Sequence, residues 1–443
     1  MTGVVGVTPY TPQYHTHPLH PPLSSTGLED YPLLNYSLMS FMNHSGEMPS
    51  VSSFLSASKN ALLRPAPVSN RTVALVTGNE SADLDSCLAS ITYAYLATQA
   101  SPSTVHVPLL NFDRADFALK PELLHVFKDT SVSTDDLVCL DDLPVSLNVE
   151  NWVLVDHNAP TGRIAHMAGA QAEKVIGIID HHVDECLAKG ASPRVIDVTG
   201  SCTTLVVNYF RSLPGLPWPA GEDGKTLAKI AITPILIDCS NLRSNKTTPH
   251  DVEAVAFLRS ILGVEKGFQT KGMTDSIDEW YHAVDDAKRD VSSLSVHDLL
   301  RRDYKEWQTS TSATLGISSC VVSITDLHNK DGKWWSAIKE WSQERKLDVY
   351  ALMASFKVDG KHRRELVVYA ANEKWAEIGK LFKEKHGEEF DLKKWKGEEG
   401  VVDAVEEDER AWPWRQKNAK ASRKQIAPAD KELEQAGLAS LYG

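Results

Sequence analysis

Short apolar runs recur along the first half of the chain, and most of them end in polar residues. Runs that have the length and β-branched content of buried strands cover Arg71–Gly78, Val105–Leu110, Trp152–Val155, Val175–Ile179 and Arg194–Val198. Segments with helical spacing lie between them, and Cys87–Gln99 is the clearest of these. Strands and helices that alternate in this way predict an α/β fold with a parallel sheet and helices on both faces.

Carboxylates and histidines stand directly after these predicted strands. Asp83 and Asp85 follow the first strand, and Asp156 follows Trp152–Val155. The triplet 180–182, which reads DHH, follows Val175–Ile179. An aspartate in such a place can simply cap the next helix. Ligands of parallel sheets, however, bind beyond the carboxyl ends of the strands, so acidic groups after three strands favour a divalent metal site.

Two later stretches carry further candidates. Ser201 stands at a predicted helix start, where a hydroxyl and backbone N–H groups suit a phosphate, and ordinary N-capping is an equal alternative. Residues 225–238 have a helical pattern, interrupted by Pro234, that ends at Asp238. Asp238 is either a helix-end hydrogen-bonding group or a metal ligand. Arg243 and Lys246 follow, and each suits a phosphate contact as well as a solvated surface position.

The second half of the chain predicts a smaller, mixed α/β domain. A turn is expected at Asp359-Gly360. The two arginines that follow it, Arg363 and Arg364, remain open between phosphate contact and solvated surface. Strand patterns cover 317–325, 349–356 and 365–370, and helical patterns cover 333–346 and 373–385.

These patterns divide the chain into four segments. Residues 1–50 are rich in proline and contain no lysine or arginine, which favours a disordered leader over a targeting sequence. Residues 51–250 are the expected metal-binding domain, 251–310 a helical connection, and 311–443 the second domain with a basic tail. Residues 411–429 of that tail contain no acidic residue, so their cations either gather an anionic substrate or form a solvated surface.

Composition limits the class of protein. A chain of 443 residues with 42% hydrophobic and 24% charged residues is expected to form two globular domains. Its net charge of −13 disfavours nucleic acid as a partner, and no apolar run is long enough to span a membrane. Six dispersed cysteines without a CxxC pair suit a reducing compartment, so we expect a cytoplasmic protein.

The candidate ligands also suggest a chemistry. Carboxylates and histidine suit two divalent ions about 3.5–4 Å apart that share one aspartate and a water. Such a pair lowers the pKa of the water and neutralises the oxygens of a phosphoryl group. Arginine and lysine from the second domain would hold the remaining phosphate charge across the cleft. The combination predicts hydrolysis of a phosphate compound.

Four blocks of the sequence resemble the metal-binding blocks of the DHH phosphoesterase superfamily. They are NESADLDS at 79–86, VDHN at 155–158, DHHVDE at 180–185 and the segment that ends at Asp238. The stretch ASRKQ at 421–425 resembles the phosphate-binding signature of the subgroup that includes family II inorganic pyrophosphatases. The resemblance covers about residues 70–425 and implies a DHH domain followed by a DHH-associated substrate-binding domain.

The resemblance implies a ligand set for two ions, Mn²⁺ or Mg²⁺, with Co²⁺ possible. Asp83 and Asp156 would hold the first ion, and Asp156 would bridge to the second. The second ion would be held by Asp85, Asp156, His181 and Asp238.

The same resemblance implies roles in substrate binding and catalysis. His182 would contact the substrate and help the leaving oxygen depart, and Asp156 would act at the reacting centre as the shared ligand. Arg423 and Lys424 would hold phosphate groups. Ser201, Arg243 and Lys246 remain additional candidates for phosphate contact.

One position departs from the pyrophosphatases, which have Gly-His where this chain has Gly78-Asn79. Fungal exopolyphosphatases of the same superfamily look closer, because their opening block and the Ser-Asn after the fourth-block aspartate match Asn79 and Ser240-Asn241. An amide is a poorer transition-metal ligand than imidazole. We therefore expect a weaker first site that tolerates Mg²⁺, with Asn79 touching the ion weakly or through water.

The implied function is that of a metal-dependent exopolyphosphatase, which hydrolyses terminal phosphoanhydride bonds of inorganic polyphosphate and releases orthophosphate. We expect a monomer. Two alternatives remain open at this point: a manganese-dependent inorganic pyrophosphatase, and a prune-like phosphodiesterase or scaffold protein. The Gly-Gly-Gly-His motif of the oligonucleotide-cleaving branch does not occur in the chain.

Overall fold

A computed structural model of the chain contains two α/β units. It describes residues 48–63, 72–144, 147, 149–167, 171–264, 277–308, 313–397, 410–419 and 421. The predicted leader therefore lies almost entirely outside the described residues, as do Arg423 and Lys424 of the basic tail. Among the described residues, no helix has both the length and the apolar character that a bilayer crossing requires.

Within the described residues, the first unit has six strands and eight α-helices. Strands β1 to β6 are Thr72–Thr77, Thr104–Leu110, Val138–Cys139, Trp152–Val155, Val175–Asp180 and Arg194–Ile196. Helices α1 to α8 are Val51–Leu63, Leu84–Ala100, Pro121–Asp129, Gly162–Met167, Cys202–Ser212, Gly221–Asp238, Pro249–Leu262 and Ile277–Arg289. Their buried apolar side chains form one large core cluster.

The six strands form one sheet in the order β3-β2-β1-β4-β5-β6, and every neighbouring pair is parallel. All four residues of β4 are buried, and the last four of β1 and of β5 are buried too, so both faces of the sheet centre are covered. The strand order changes direction between β1 and β4, and sites in such sheets lie beyond the carboxyl ends at that point. The predicted α/β class with a parallel sheet is confirmed.

Three details of this unit differ from the prediction. Strand β3 was not predicted, because a pair of residues carries no periodicity. Strand β6 ends at Ile196 rather than Val198. Helix α6 begins at Gly221 and runs through Pro234 to its end, so the proline does not break it.

The second unit has its own sheet. Strands β7 to β12 are Tyr304–Gln308, Thr314–Cys320, Val349–Val358, Lys361–Ala370, Leu392–Lys394 and Ala411–Gln416, and helices α9 to α12 are Val296–Arg302, Ile324–Asp331, Trp334–Glu344 and Ile378–His386. The strand order is β11-β12-β10-β9-β8-β7, with β8 and β9 parallel and the other pairs antiparallel. This is the expected mixed sheet.

Local chemistry explains one success and one error in this unit. Asp359 and Gly360 have φ values of 49° and 71°, and they form the predicted turn between β9 and β10. The predicted strand 317–325 is wrong in its second half, because β8 ends at Cys320. Ser323 and Asp326 form a capping box there that starts α10.

The stretch 251–310, predicted as a helical connection, contributes to both units. Helices α7 and α8 bury Leu258 and Trp280 in the core of the first unit, whereas β7 pairs with β8 in the second. The units also touch directly. Arg301 of α9 donates to Asp116 of the first unit at 2.7 Å.

Candidate metal centre

The carboxyl end of β1 brings the first block of the site close to helix α2. At Gly78 an added Cβ would lie 2.3 Å from the Cβ of Ser86, so only glycine lets the strand approach the helix this closely. Asp83 is the N-cap of α2, and its Oδ1 accepts the backbone N–H of Ser86 at 3.1 Å. Asp83 therefore is a cap, and its exposed side chain also stands at the edge where the predicted ligands gather.

Asp156 follows β4 and lies at the centre of the site. Its backbone is left-handed, with φ of 62°, and its side chain is only 3% exposed. Its Oδ2 accepts the hydroxyl of Ser86 at 2.6 Å and the amide of Asn79 at 2.8 Å. Its buried Oδ1 has no hydrogen-bond partner among the described residues. Oδ2 of Asp156 is thus held in place by hydrogen bonds, and Oδ1 is available to bind an ion.

His181 presents a nitrogen to that available oxygen. Its Nδ1 lies 3.0 Å from the backbone carbonyl of Thr199, which can only accept, so Nδ1 carries the ring proton. In the neutral ring, Nε2 then has a free lone pair, and it lies 3.1 Å from Asp156 Oδ1. A backbone carbonyl that orients the far nitrogen is the usual second partner of a metal-binding histidine.

His182 is oriented by a different group, the carboxylate of Asp180. Its Nδ1 lies 2.7 Å from Asp180 Oδ1, while Asp180 Oδ2 accepts the amide of Asn158 at 2.5 Å. Asp180 is fully buried, whereas the side chain of His182 is 54% exposed. Asp156, His181 and His182 each bring one possible ligand atom within 4.8 Å of the others.

Asp85 lies in the first turn of α2 and is held by the start of α5. Its Oδ1 accepts three hydrogen bonds, from the hydroxyl of Ser201 and from the backbone and hydroxyl of Thr203. Its Oδ2 accepts the backbone N–H of Cys202 at 2.6 Å, the single partner of that oxygen among the described residues. A carboxylate has about four lone-pair positions, so Oδ2 still has one for an ion.

The position of Ser201 corrects its predicted use as a phosphate contact. Its side chain is fully buried, and its hydroxyl donates to Asp85 at 2.8 Å. A phosphate cannot reach it without displacing that bond. Ser201 orients a candidate ligand instead.

Asn79 has a similar supporting position. Its amide N–H groups bond to the carbonyl and to Oδ2 of Asp156 at 3.0 and 2.8 Å, and its Oδ1 accepts the backbone N–H of Ser81. Both ends of the amide are therefore engaged within the protein. Asn79 thus holds the central carboxylate, and its Oδ1 keeps one lone pair for an ion or a water.

Negative charge accumulates at this edge of the sheet. Burial, together with the carboxylates of Asp85 and Asp83, raises the pKa of Asp156 to about 6, although the contact with His181 lowers it. Burial and the same two neighbours raise the pKa of Asp238, at the end of α6, well above its usual range. Like charges that must share a buried site are stabilised by a cation between them.

Nearby carboxylates also shift the pKa values of the two histidines. Burial lowers the pKa of His181, but contact with Asp156 and the charge of Asp85 outweigh it and raise the value to about 9. The hydrogen bond to Asp180 raises the pKa of His182. Burial also works against ionisation of Asp180, yet its bonds with His182 and Asn158 lower its pKa. Asp180 and His182 therefore form a charged pair beside the candidate ligands.

These observations fit a divalent metal centre. The buried Oδ1 of Asp156 faces Nε2 of His181, where a divalent ion would replace the proton that the raised pKa of His181 favours, and further acidic groups surround both. Mn²⁺, Mg²⁺ and Co²⁺ accept such oxygen and nitrogen donors. Among the described residues, the structure brings ligand atoms of Asp156, His181 and His182 together, whereas Asp83, Asp85 and Asp238 do not belong to that group.

Fewer contacts define the positions of the residues predicted to bind phosphate. Arg243 and Lys246 are exposed, and Arg243 lies 3.4 Å from Asp278 of α8. Arg364 donates from Nε to the carbonyl of Ala419 at 2.8 Å, so it supports the backbone just before Arg423. Arg423 itself lies outside the described residues.

Sequence reasoning missed the groups that orient the site. Asp180 was noticed only as the start of the triplet, and Asn158 and Thr199 were given no role. Asn158 stands two residues after Asp156 and could have been suspected from that spacing. The carbonyl of Thr199 leaves no trace in a sequence, because every residue has one.

Comparisons with known proteins agree with this architecture. A model of the DHH family, N-terminal domain, matches residues 74–237, and a model of the DHHA2 domain matches residues 283–433. These ranges correspond to most of the first and second units.

Individual relatives extend the similarity over most of the chain. A Schizosaccharomyces pombe protein named "Putative exopolyphosphatase" is 33% identical over 84% of this chain and 93% of its own. "Exopolyphosphatase PRUNE1" of Homo sapiens is 28% identical over 55% of this chain, and the match spans about half, 51%, of that protein. A Deinococcus radiodurans protein named "Probable manganese-dependent inorganic pyrophosphatase" is 26% identical over 52% of this chain and 64% of its own.

Proposed function

This chain belongs to the DHH family, and on that premise we propose that it is a metal-dependent exopolyphosphatase. It hydrolyses the terminal phosphoanhydride bonds of inorganic polyphosphate and releases orthophosphate. The proposal takes its substrate from the name of the S. pombe relative, which is similar over nearly its whole length.

The observation that carries the proposal is the pair Asp156 Oδ1 and His181 Nε2. Within the described part of the chain, Oδ1 of Asp156 is buried and lacks a hydrogen bond, Nε2 of His181 lies 3.1 Å from it, and the Nδ1 of His181 is held by a backbone carbonyl. A cation beside this carboxylate stabilises it, either the protonated His181 or a divalent ion that binds both Asp156 Oδ1 and His181 Nε2. Divalent ions held there would lower the pKa of an attacking water and neutralise phosphate oxygens.

We assign two ions to the site, Mn²⁺ or Mg²⁺, with Co²⁺ as a further candidate. Asp83 and Asp156 hold one ion in this assignment. The other is held by Asp85, Asp156, His181 and Asp238. Asn79 supports Asp156 through its amide, so the first ion has fewer direct protein ligands and is bound more weakly.

His182 acts on the leaving group. Because its Nδ1 is bonded to Asp180, Nε2 of the half-exposed ring is left for the substrate. The raised pKa favours the protonated ring, from which Nε2 would donate a proton to the oxygen that departs with the shortened chain. Arg423 and Lys424 hold the neighbouring phosphates, as their signature suggests.

The proposal also includes a cytoplasmic, monomeric protein that binds neither membranes nor nucleic acid. All six cysteines are free of disulfide bonds, and five of them are buried, as is usual where thiols stay reduced. The net charge of −13 works against a general affinity for nucleic acid.

The decisive test compares two substrates. We would measure orthophosphate release from long-chain polyphosphate and from pyrophosphate in parallel, with Mg²⁺ and with Mn²⁺, using Asp156→Ala as the blank. Fast release from polyphosphate with little from pyrophosphate is the expected result. The reverse would make the protein a manganese-dependent pyrophosphatase. If neither substrate releases orthophosphate while metal is still bound, the hypothesis of a prune-like phosphodiesterase or scaffold protein would be favoured.

A further inference from the structure

A second buried carboxylate lies behind the candidate metal centre. Asp251 is in the first turn of helix α7, and its side chain is fully buried. It stands outside the range matched by the DHH model, in a stretch where the sequence suggested no chemistry. Its Oδ2 accepts the backbone N–H of Gly200 at 2.9 Å, and its Oδ1 accepts the hydroxyl of Thr204 at 2.5 Å.

Helix capping accounts for only part of this bonding. Asp251 also accepts the backbone N–H and the hydroxyl of Thr248 at 2.7 and 2.8 Å, which completes a capping box for α7. Asp326 forms the same box with Ser323 at the start of α10. The bonds of Asp251 to Gly200 and Thr204 are additional, and they join α7 to the segment 199–204, whose residues start α5.

That segment holds two candidate metal ligands. The carbonyl of Thr199 accepts the Nδ1 proton of His181, and Ser201 with its two successors supplies all the described donors to Asp85. Space around the segment is also restricted. An added Cβ on Gly200 would lie 2.3 Å from Cys239 Sγ and 3.1 Å from Asp251 Oδ2. The segment is therefore held both by hydrogen bonds and by close packing.

We propose that Asp251 is a positioning residue of the metal centre. By holding the segment 199–204, it keeps Asp85 and His181 in the orientation that an ion requires. Helix α7 thereby becomes part of the metal-binding apparatus. The inference rests on the proposed function only in so far as that function places an ion at Asp85 and His181. Groups that orient metal ligands typically change affinity about 10–100-fold when removed.

The test measures Mn²⁺ affinity in the full-length protein, without any substrate. Free Mn²⁺ would be followed by its electron paramagnetic resonance signal, and thermal unfolding would be recorded for each variant in chelator. We expect Asp251→Asn and Thr204→Val to weaken Mn²⁺ binding by about 10–100-fold. Thr204→Val is the milder variant, because it removes one bond and keeps the capping box.

Two controls separate positioning from capping. Thr248→Ala removes a capping hydroxyl of α7 but leaves the bonds of Asp251 to Gly200 and Thr204. Asp326→Asn weakens the equivalent box of α10. Both should lower the melting temperature and leave the Mn²⁺ dissociation constant unchanged.

Asp85→Ala serves as the reference for the metal site itself. If Asp85→Ala loses Mn²⁺ while Asp251→Asn and Thr204→Val bind it as the wild type does, Asp251 is only a helix cap and the inference is wrong. If Asp85→Ala binds Mn²⁺ normally, the metal site proposed above is wrong, and the inference falls with it. If Asp251→Asn does not fold, the affinity of Thr204→Val alone decides.

Discussion

The strand-end edge of the first unit and the β9–β10 hairpin of the second hold their charged groups in opposite ways. At the edge, Asp85, Asp156 and Asp180 are at most 3% exposed, and each is held by hydrogen bonds from several parts of the chain. At the hairpin, Lys357 and Lys361 are exposed to solvent. One region has buried, hydrogen-bonded charges, and the other has exposed ones.

Under the proposed function, this difference would correspond to two kinds of ligand. A metal ion needs a few donors at defined distances, so its ligands must be oriented before it binds. A polyanion presents many equivalent charges, and long exposed cations can meet them in several geometries. Substitutions at the edge should therefore cost far more activity than substitutions near the hairpin. The following variants test that contrast.

The largest loss is expected at the central carboxylate. Asp156→Asn removes the charge that both proposed ions share, and metal ions contribute several kcal/mol to phosphoryl transfer, so activity should fall by about 10³-fold or more. Phosphate release at saturating Mn²⁺ measures this. Asp184→Asn is the matched control, because Asp184 is an exposed carboxylate near the same edge that pairs with Arg194. A similar loss in both variants would contradict the assignment.

A smaller loss is expected when His182 loses its partner. Asp180→Asn removes the carboxylate that raises the pKa of His182, so activity should fall about 10–100-fold. The direction of the pH effect follows from the role of His182 as an acid. A lower pKa means that its proton is lost at lower pH, so the alkaline limb of the kcat profile should shift toward neutral pH. An unshifted alkaline limb would argue against His182 as the proton donor.

A substitution at Asn79 is expected to increase metal affinity. Asn79→His replaces an engaged amide with an imidazole lone pair, which transition metals prefer, so Mn²⁺ affinity should rise about tenfold, or by 1.4 kcal/mol. Activity with Mg²⁺ should fall relative to activity with Mn²⁺. Metal titration by calorimetry measures both ions. No gain in Mn²⁺ affinity would count against the weak-site interpretation of Asn79.

The smallest effect is expected in the second unit. Arg364→Gln removes the bond to Ala419 that supports the backbone before Arg423, and we expect about a threefold rise in KM for polyphosphate with little change in kcat. Arg363→Gln is the neighbouring control, because successive residues of a strand point to opposite faces of the sheet. A loss at Arg364 as large as that at Asp156 would remove the contrast between the two regions.

The sequence located those site residues that directly follow a predicted strand. Asp156 and His181 could be placed together because each follows an apolar run, and such runs pair into one parallel sheet. The mixed second sheet followed from the same kind of pattern. The strand at 317–325 was extended too far because its apolar residues continue past a capping serine.

Other features depend on contacts between distant parts of the chain. Ser201 donates to Asp85 across 116 positions, and Asp251 reaches Gly200 across 51. No local pattern indicates that a serine hydroxyl is consumed in this way or that a helix-cap aspartate reaches a second segment. These roles arise from the packing of α5 against α2 on one side and against α7 on the other.

The most direct test of the account is anomalous diffraction from crystals of the full-length protein grown with Mn²⁺. The account predicts manganese peaks beside Asp156, with one of them within bonding distance of His181 Nε2 and the carboxylate of Asp85. Two peaks about 3.5–4 Å apart would match the proposed pair of ions. Manganese bound elsewhere, with none at Asp156, would contradict the central claim.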